Sequence, residues 1–287
     1  MMRKIDSNNI MIFLLIIISI YLFLGLISNI DISNTFFMAG FILLFLVLII
    51  IHGCKTLGPY ELMIFLLIAY FISLIYEYTD GLGFGALVNC RSYYSDLLGP
   101  KFFGKVPYTI PLVWSMFLYC AFSMTNIIFN RIRINKKFKD TIAKKWLLKI
   151  IGMGIVSGLI MTSWDLINDP VMVKMGAWSW SYLGSYYGIP LWNFEVWIEI
   201  SALVYILFSI YLNKVKKSQV YIGGPQKSSY TLLVVIIYLA LLIVYIVYAF
   251  HEEVIYVIPW AAITMGLFST VSIIRFYKNK GKNDKKN

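Results

Sequence analysis

Long apolar segments alternate with short polar ones through almost the whole chain. A helix rises 1.5 Å per residue and the hydrocarbon core of a bilayer is about 30 Å thick, so a spanning helix needs roughly 20 mostly apolar residues. The pattern predicts eight transmembrane helices, at Ile10–Ser28, Phe36–Ile51, Tyr60–Tyr76, Ile110–Phe129, Trp146–Trp164, Phe194–Leu212, Ser229–Phe250 and Val254–Ile274. The predicted fold class is therefore all-α: a polytopic membrane bundle that forms a single transmembrane domain over residues 1–287.

The placement of basic residues supports this count. With eight helices and both termini in the cytoplasm, all but four of the 25 Lys and Arg residues fall on the cytoplasmic side; the exceptions are Arg91, Lys101, Lys105 and Lys174. Cytoplasmic loops of membrane proteins carry an excess of Lys and Arg. A missed helix would invert everything beyond it and destroy this bias, so we predict that the N- and C-termini are both cytoplasmic.

Composition excludes a soluble protein. Hydrophobic residues make up 60% of the chain and the mean hydropathy is +0.77, against roughly 45–50% apolar residues in soluble domains. The net charge of +11 is explained by the cytoplasmic loops, so we expect no nucleic-acid partner. The three cysteines are odd in number and lack metal-ligand spacing, which predicts neither a disulfide framework nor a metal site. The predicted location is the cell membrane.

Two long segments, Glu77–Thr109 and Asp165–Asn193, are predicted to be non-helical and to lie on the outer side. The part from Gly176 to Pro190 contains no charged residue. A solvated loop rarely has this composition, so we expect it to fold back over the outer mouth of the bundle, where protein contacts satisfy its backbone.

Acidic residues cluster at the outer helix ends. Asp165 and Asp169 are four apart and share one helix face, and Pro170 is predicted to end their helix. Glu195 and Glu199 repeat the spacing. Glu199 is predicted to lie more than one turn inside the membrane, where an ionisable group is costly and usually functional. The alternative is that these carboxylates are ordinary solvated helix ends.

Tryptophan is distributed as unevenly as charge. Trp146 alone is predicted on the inner side, and the other seven on the outer side: Trp114, Trp164, Trp178, Trp180, Trp192, Trp197 and Trp260. Aromatic belts form at both interfaces, so this distribution predicts an outer pocket lined by aromatic rings. The alternative is that longer outer loops simply supply more interface.

Three stretches carry a family resemblance. They are Tyr94–Pro100 with the Val106–Trp114 region, Trp164–Pro170 (Trp-Asp-Leu-Ile-Asn-Asp-Pro), and Tyr187–Phe194 with Trp197. In order and spacing they resemble the membrane-protein family of carotenoid biosynthesis that includes carotenoid 1,2-hydratases such as bisanhydrobacterioruberin hydratase. The resembling core spans about residues 77–197.

The resemblance implies a reaction without a cofactor: addition of water to the terminal double bond of an acyclic carotenoid. This chemistry needs a protonated carboxyl group, a surround that tolerates a carbocation, and a held water. The implied catalytic residues are Asp165 and Asp169 as a proton-sharing pair, Asn193 for the water, and Glu77 beside them. The implied substrate-binding residues are Asp96, Trp114, Trp164, Trp178, Trp180, Tyr187, Trp197 and Glu199. The expected partners are an isoprenoid substrate that enters from the lipid phase and membrane lipid itself.

Two other functions fit parts of the pattern. An intramembrane metal-dependent prenyltransferase also uses Asp-rich helix ends, but it needs two such motifs and basic residues to hold diphosphate. A transporter or a non-enzymatic lipid- or isoprenoid-binding protein would also be this apolar. Broken helices and repeated halves, which favour a transporter, are not evident in the sequence.

Overall fold

The computed structural model describes residues 17, 35–80, 92–129, 140–215 and 229–284. Within these residues the chain forms seven helices that are long and apolar enough to cross a membrane. They are α1 (Thr35–Thr56), α2 (Pro59–Tyr78), α3 (Thr109–Ile128), α4 (Asp140–Lys174), α5 (Leu191–Val215), α6 (Leu233–His251) and α7 (Ile258–Asp284). They match the second to eighth predicted spans, which confirms the all-α multi-pass fold. The first predicted span, Ile10–Ser28, lies outside the described residues except for residue 17. The side of the membrane on which each terminus lies stays a prediction.

The first two helices are joined by a tight turn. Gly58 has a φ of 102°, a left-handed conformation that favours glycine because other side chains are strained there. Pro59 follows as the first residue of α2. Its fixed φ suits the start of a helix, where its missing N–H is not needed.

Helices α4 and α5 pack closely through small residues. A Cβ built on Gly158 would lie 2.7 Å from the Cα of Ile198, and one on Gly154 would lie 3.0 Å from the Cα of Ala202. The two glycines are four residues apart on one face of α4, the spacing that lets membrane helices approach backbone to backbone. This contact fixes α5 against the helix that carries Asp165 and Asp169.

Helix α4 does not end at Pro170, as the sequence predicted, but continues to Lys174 with the proline inside it. The prediction was wrong because it considered only local sequence. A helical proline leaves the carbonyl four residues earlier without its N–H donor, and here that carbonyl, of Leu166, accepts a hydrogen bond from Tyr186. The predicted non-helical segment Asp165–Asn193 is therefore helical over its first third.

Two short antiparallel strand pairs lie at one end of the bundle. β1 (Ser92–Tyr94) pairs with β4 (Trp178–Trp180), and β2 (Lys101–Phe102) pairs with β3 (Val106–Pro107). In the first pair Tyr94 is opposite Trp178. The β1–β4 pair joins the segment that follows α2 to the segment that follows α4, so it brings together the ends of two helices that are distant in sequence.

The uncharged segment between α4 and α5 forms a small closed turn. Gly184 pairs with Gly188, and Tyr186 pairs with Ile189. Tyr187 and Gly188 both have positive φ, at 51° and 90°, which reverses the chain. Through Tyr186 and Trp178 the segment is bonded to α4, so it packs against the bundle instead of extending from it.

Candidate functional site

A single amide links the two aspartates of α4. Asp165 and Asp169 lie one turn apart and are almost fully buried, with 0% and 2% of their surface exposed. Asn193, in the first turn of α5, donates from Nδ2 to Asp165 Oδ2 at 3.1 Å and to Asp169 Oδ2 at 2.6 Å. The close contact of α4 with α5 therefore positions one donor between two carboxyl groups.

The remaining oxygens of the aspartates also accept hydrogen bonds. Asn168 Nδ2 donates to Asp165 Oδ1 at 3.2 Å, and Trp178 Nε1 donates to Asp169 Oδ1 at 3.1 Å. All of these donors are neutral amide or indole groups, and no ion pair of either aspartate is found among the described residues. The two acids are thus held in place without a neutralising cation.

Glu77 brings a third acid to the same region. It lies in the last turn of α2 and accepts a hydrogen bond on each oxygen, from Tyr94 Oη at 2.5 Å and from Trp114 Nε1 at 2.8 Å. Burial, and then the Glu77 carboxylate, raise the pKa of Tyr94 well above its usual value. The phenol of Tyr94 is therefore a persistent donor. Its ring also meets that of Trp178 edge to face at 6.1 Å.

Lys105, a basic side chain that contacts the end of α2, is paired with a separate acid. Lys105 donates to Asp80 Oδ2 at 2.7 Å and to the carbonyl of Tyr78 at 2.6 Å. Asp80, just after α2, also accepts from the main-chain N–H and the hydroxyl of Ser92, both at 3.1 Å. These bonds hold the end of α2 against β1 and so support the position of Glu77.

A cavity at the strand-bearing end of the bundle contains most of these groups. It encloses about 710 Å³ of space free of protein atoms, counted out to its open mouth. Its polar lining comprises Tyr76, Glu77, Asp80, Ser92, Tyr94, Asn168, Asp169 and Asn193, and its apolar lining comprises Ile110, Val113, Trp114, Trp164, Trp178, Trp180, Trp192, Val196 and Trp197. Asp165 lies behind this lining and reaches it through Asn193.

Tryptophan rings form much of the wall. Trp114 stacks on Trp197 with their ring centroids 3.9 Å apart, and Trp164 meets Trp197 edge to face at 5.7 Å. The indole N–H groups of Trp164 and Trp192 are buried without a hydrogen-bond partner among the described residues. Buried donors usually have partners, so these two indole groups have unused capacity to donate a hydrogen bond.

The structure brings together most, but not all, of the residues that the sequence predicted for the site. Glu77, Asp165, Asp169, Asn193 and five predicted tryptophans (Trp114, Trp164, Trp178, Trp180 and Trp197) meet at the cavity. Asp96, Tyr187 and Glu199 do not line it. Asp96 is solvent-exposed and paired with Lys101, Tyr187 packs on Tyr256, and Glu199 lies further along α5. The chemical role of each residue stays a prediction.

Nine of the seventeen lining residues were not among those predicted for the site, and they include Tyr94, Asn168 and Trp192. Asn168 had a usable signal, since it is three residues from Asp165 and lies on the same helix face. For Tyr94 the only signal in the sequence was its position in one of the stretches that resemble the family. Its contact with Glu77 depends on the pairing of β1 with β4, which the sequence does not show. Trp192 was predicted only as one of the outer tryptophans.

The described residues offer no cluster for a metal. No three His, Cys, Asp or Glu side chains in them are grouped so that they could hold one ion. The polar groups of the cavity are suited instead to proton transfer and to holding water, because they combine closely spaced carboxyl groups with neutral donors.

Comparison with known proteins gives one match. The sequence model of a family described as carotenoid biosynthesis protein matches residues 37–268, which is most of the chain and more than the core of about 77–197 on which the resemblance was based. No curated protein and no solved structure matches. The match includes all seven described helices at least in part and every residue of the cavity, and it places the role of this multi-pass membrane protein in carotenoid biosynthesis. The chain belongs to the carotenoid biosynthesis protein family.

Proposed function

We propose that this protein is a hydratase of the cell membrane that adds water to the terminal C1=C2 double bond of an acyclic carotenoid or related polyisoprenoid. The observation that carries the proposal is the bridge from Asn193 to Asp165 and Asp169, buried beside a wall of tryptophans. Family membership supports the substrate class. The substrate would enter from the lipid phase.

The aspartate pair would supply the acid. Two buried negative charges bridged by one amide repel each other, whereas a pair that shares one proton carries a single charge. Asp169 lines the cavity and Asp165 does not. Asp169 therefore delivers the proton to the substrate, and Asp165, with no exposed surface, stabilises the protonated pair from behind.

The reaction balances without any oxidant, reductant or cofactor. The π electrons of the double bond take the proton from Asp169 to form the new C2–H bond, which leaves a tertiary cation at C1. The oxygen of a water molecule bonds to C1, and the water gives up one proton to a carboxylate. The product is a tertiary alcohol, and a proton returns to the acid pair before the next turnover.

The aromatic wall would stabilise the intermediate. A cation over the face of a tryptophan ring is stabilised by about 0.5–2 kcal/mol, most strongly where water is excluded. The stacked rings of Trp114 and Trp197, which both line the cavity, would offer such faces. Their apolar character also excludes bulk water, so that capture depends on a positioned molecule.

The attacking water would be held by polar groups that line the cavity or that have a hydrogen-bond donor without a partner. Asn193 lies in the lining with its carboxylate partners, and the indole N–H groups of Trp164 and Trp192 have no partner among the described residues. Glu77, which accepts from two neutral donors, would take the proton that the water releases. The cavity then contains an acid on α4 and a base on α2.

Expression of the protein beside an acyclic carotenoid pathway tests the proposal. The wild type should add the mass of one water to each reacting end group, measured by mass spectrometry of the extracted pigments. Both Asp169→Asn and Asp165→Asn preserve shape. The first removes the proton donor and the second removes the carboxyl group that shares its proton, so both should abolish hydration. Glu195→Gln is the control, because Glu195 is exposed and outside the cavity. It should retain full activity.

Membrane insertion and thermal unfolding of each variant should match the wild type. Hydration by Asp165→Asn at the wild-type level would exclude the proton-sharing pair. If the wild type adds water to no acyclic substrate, carotenoid hydration is wrong. A non-enzymatic isoprenoid-binding role would then replace it.

A further inference from the structure

A second cavity adjoins the first and differs from it in chemistry. It is lined by residues of α1, α3, α4 and α6, with Leu98, Met175 and Trp178 from the connecting segments. No charged side chain is among its lining residues, and its only polar side chains besides Trp178 and Trp164 are those of Thr109, Asn168, Tyr245 and Tyr248. Three methionines contribute to it: Met116, Met172 and Met175.

The two cavities share one wall. Five residues line both of them: Ile110, Val113, Trp164, Asn168 and Trp178. Two of these contact the aspartates directly, since Asn168 donates to Asp165 and Trp178 donates to Asp169. The apolar cavity therefore begins within one side chain of the acid pair.

We propose that the second cavity binds the hydrocarbon chain of the isoprenoid whose end group reaches Asp169. The inference rests on the proposed function for the identity of that end group. A long isoprenoid with one end at the acid must place the rest of its chain in an apolar environment, and burial of apolar surface is the main source of its affinity. The cavity that adjoins the acid has this character.

The lining suits a long, flat and unsaturated ligand. Trp164 stacks on Phe117 with their centroids 3.6 Å apart and an interplanar angle of 18°, and Phe117 belongs to the second cavity alone. Flat aromatic surfaces pack well against conjugated chains, and methionine adapts to irregular apolar shapes. The second cavity would thus select for chain length and the first cavity for the end group.

A matched pair of substitutions on α6 tests the inference. Val244 lines the second cavity, whereas its neighbour Ile243 is 64% exposed on the outside of the bundle. Val244→Phe should fill the cavity and weaken binding of a long acyclic polyene about tenfold, which is the scale of overpacking a well-fitted site. Ile243→Phe adds the same ring to the surface and should bind as the wild type does.

Binding is measured on purified protein by quenching of tryptophan fluorescence with the polyene, because phenylalanine substitutions leave the tryptophan count unchanged. Met172→Phe, from α4, narrows the same cavity and guards against a folding defect peculiar to Val244→Phe. Thermal unfolding is recorded for all three variants. An excess of saturated phospholipid should leave the quenching unchanged; if it abolishes the quenching, the cavity is a site for membrane lipid.

Activity separates this inference from the proposed function. Hydration of a short monoterpene alkene with the same end group depends mainly on the first cavity, so Val244→Phe should raise KM for the long polyene by a much larger factor than KM for the short alkene. If folded Val244→Phe and Met172→Phe bind and hydrate the long polyene as the wild type does, the inference is overturned and hydration stands. If the variants weaken binding but the wild type hydrates nothing, the proposed reaction fails and the chain-binding cavity stands.

Discussion

The phenol of Tyr186 donates a hydrogen bond to the main-chain carbonyl of Leu166, with 2.9 Å between the two oxygens. Leu166 lies four residues before Pro170, whose nitrogen has no hydrogen for that carbonyl. The segment after α4 therefore supplies the donor that the proline lacks. Because Asn168 and Asp169 lie between Leu166 and Pro170, this bond supports the turn of helix that carries the acid.

Removal of the Tyr186 hydroxyl should destabilise the protein. Tyr186→Phe keeps the ring packed on Phe194 but leaves the Leu166 carbonyl without a donor, at an expected loss of about 1 kcal/mol in the free energy of unfolding. Pro170→Ala restores a main-chain N–H that can bond to Leu166. In that background the effect of Tyr186→Phe should shrink, as measured by chemical unfolding in detergent. An equal loss in both backgrounds would contradict the assigned role of the hydroxyl.

The close approach of α4 and α5 depends on Gly158. A Cβ there would lie 2.7 Å from the Cα of Ile198, so Gly158→Ala should push the helices apart and lower the free energy of unfolding by about 1–3 kcal/mol. Gly152 lies on the same helix with nothing within 4 Å of a built Cβ. Gly152→Ala should therefore be neutral or stabilise by up to about 1 kcal/mol through helix propensity. Equal effects of the two substitutions on thermal unfolding would exclude this account of the packing.

The helices and the aspartate pair were predictable because they depend on local patterns. Apolar length defined the seven spans that the structure describes, and a spacing of four residues placed Asp165 and Asp169 on one face. The same local reasoning failed at Pro170, since the compensating donor is Tyr186, sixteen residues further along the chain. A tertiary hydrogen bond overrode a sound local rule.

The wall of the cavity was predictable only in part. Tryptophan counts indicated an aromatic pocket, but the sequence could not show that Trp260 lies outside it against Tyr187. Tyr94 reaches Glu77 from β1, which is held by Asp80 and by its pairing with β4, and strand pairing between distant segments has no local signature. Asp96, two residues after Tyr94, turns instead to Lys101 and solvent. Closeness in sequence to a cavity residue therefore does not predict that a residue lines the cavity.

Tyr94 should support catalysis through Glu77 without taking part in proton transfer. Tyr94→Phe removes one of the two donors to Glu77 and should lower kcat more than it raises KM, because the carboxylate is less well positioned. Tyr93, which is 53% exposed, provides the control: Tyr93→Phe should leave kcat and KM unchanged.

Since burial and the Glu77 carboxylate raise the pKa of Tyr94, its phenol stays neutral at pH values near 10, where an exposed tyrosine ionises. A plot of wild-type hydration activity against pH should therefore show no loss near pH 10 from ionisation of Tyr94. Loss of activity there in wild type but not in Tyr94→Phe would contradict this.

The predicted orientation can be tested by thiol labelling in intact cells. In a variant without the native cysteines, single cysteines placed within Lys136–Lys145 should resist membrane-impermeant thiol reagents, because that basic segment is predicted to be cytoplasmic. A cysteine at position 181, in place of Ser181, should react from outside. Both sites should react after the membrane is permeabilised, which is the control for access. External labelling of the 136–145 segment would invert the predicted topology.

Isotope exchange can separate the acid step from the capture of water. In deuterated water the acid pair exchanges its proton, so each protonation of the substrate places deuterium at C2. A cation that escapes capture by losing a proton from a methyl group on C1 becomes an isomeric alkene that retains the deuterium. Glu77→Gln removes the proposed base but keeps the acid, so it should give deuterated alkene while it forms little alcohol. Asp169→Asn removes the proton donor and should give neither label nor alcohol. Glu195→Gln should behave as the wild type does. Mass spectrometry of the recovered substrate distinguishes these cases, and the division of roles is wrong if Glu77→Gln forms alcohol at the wild-type rate or loses exchange together with hydration.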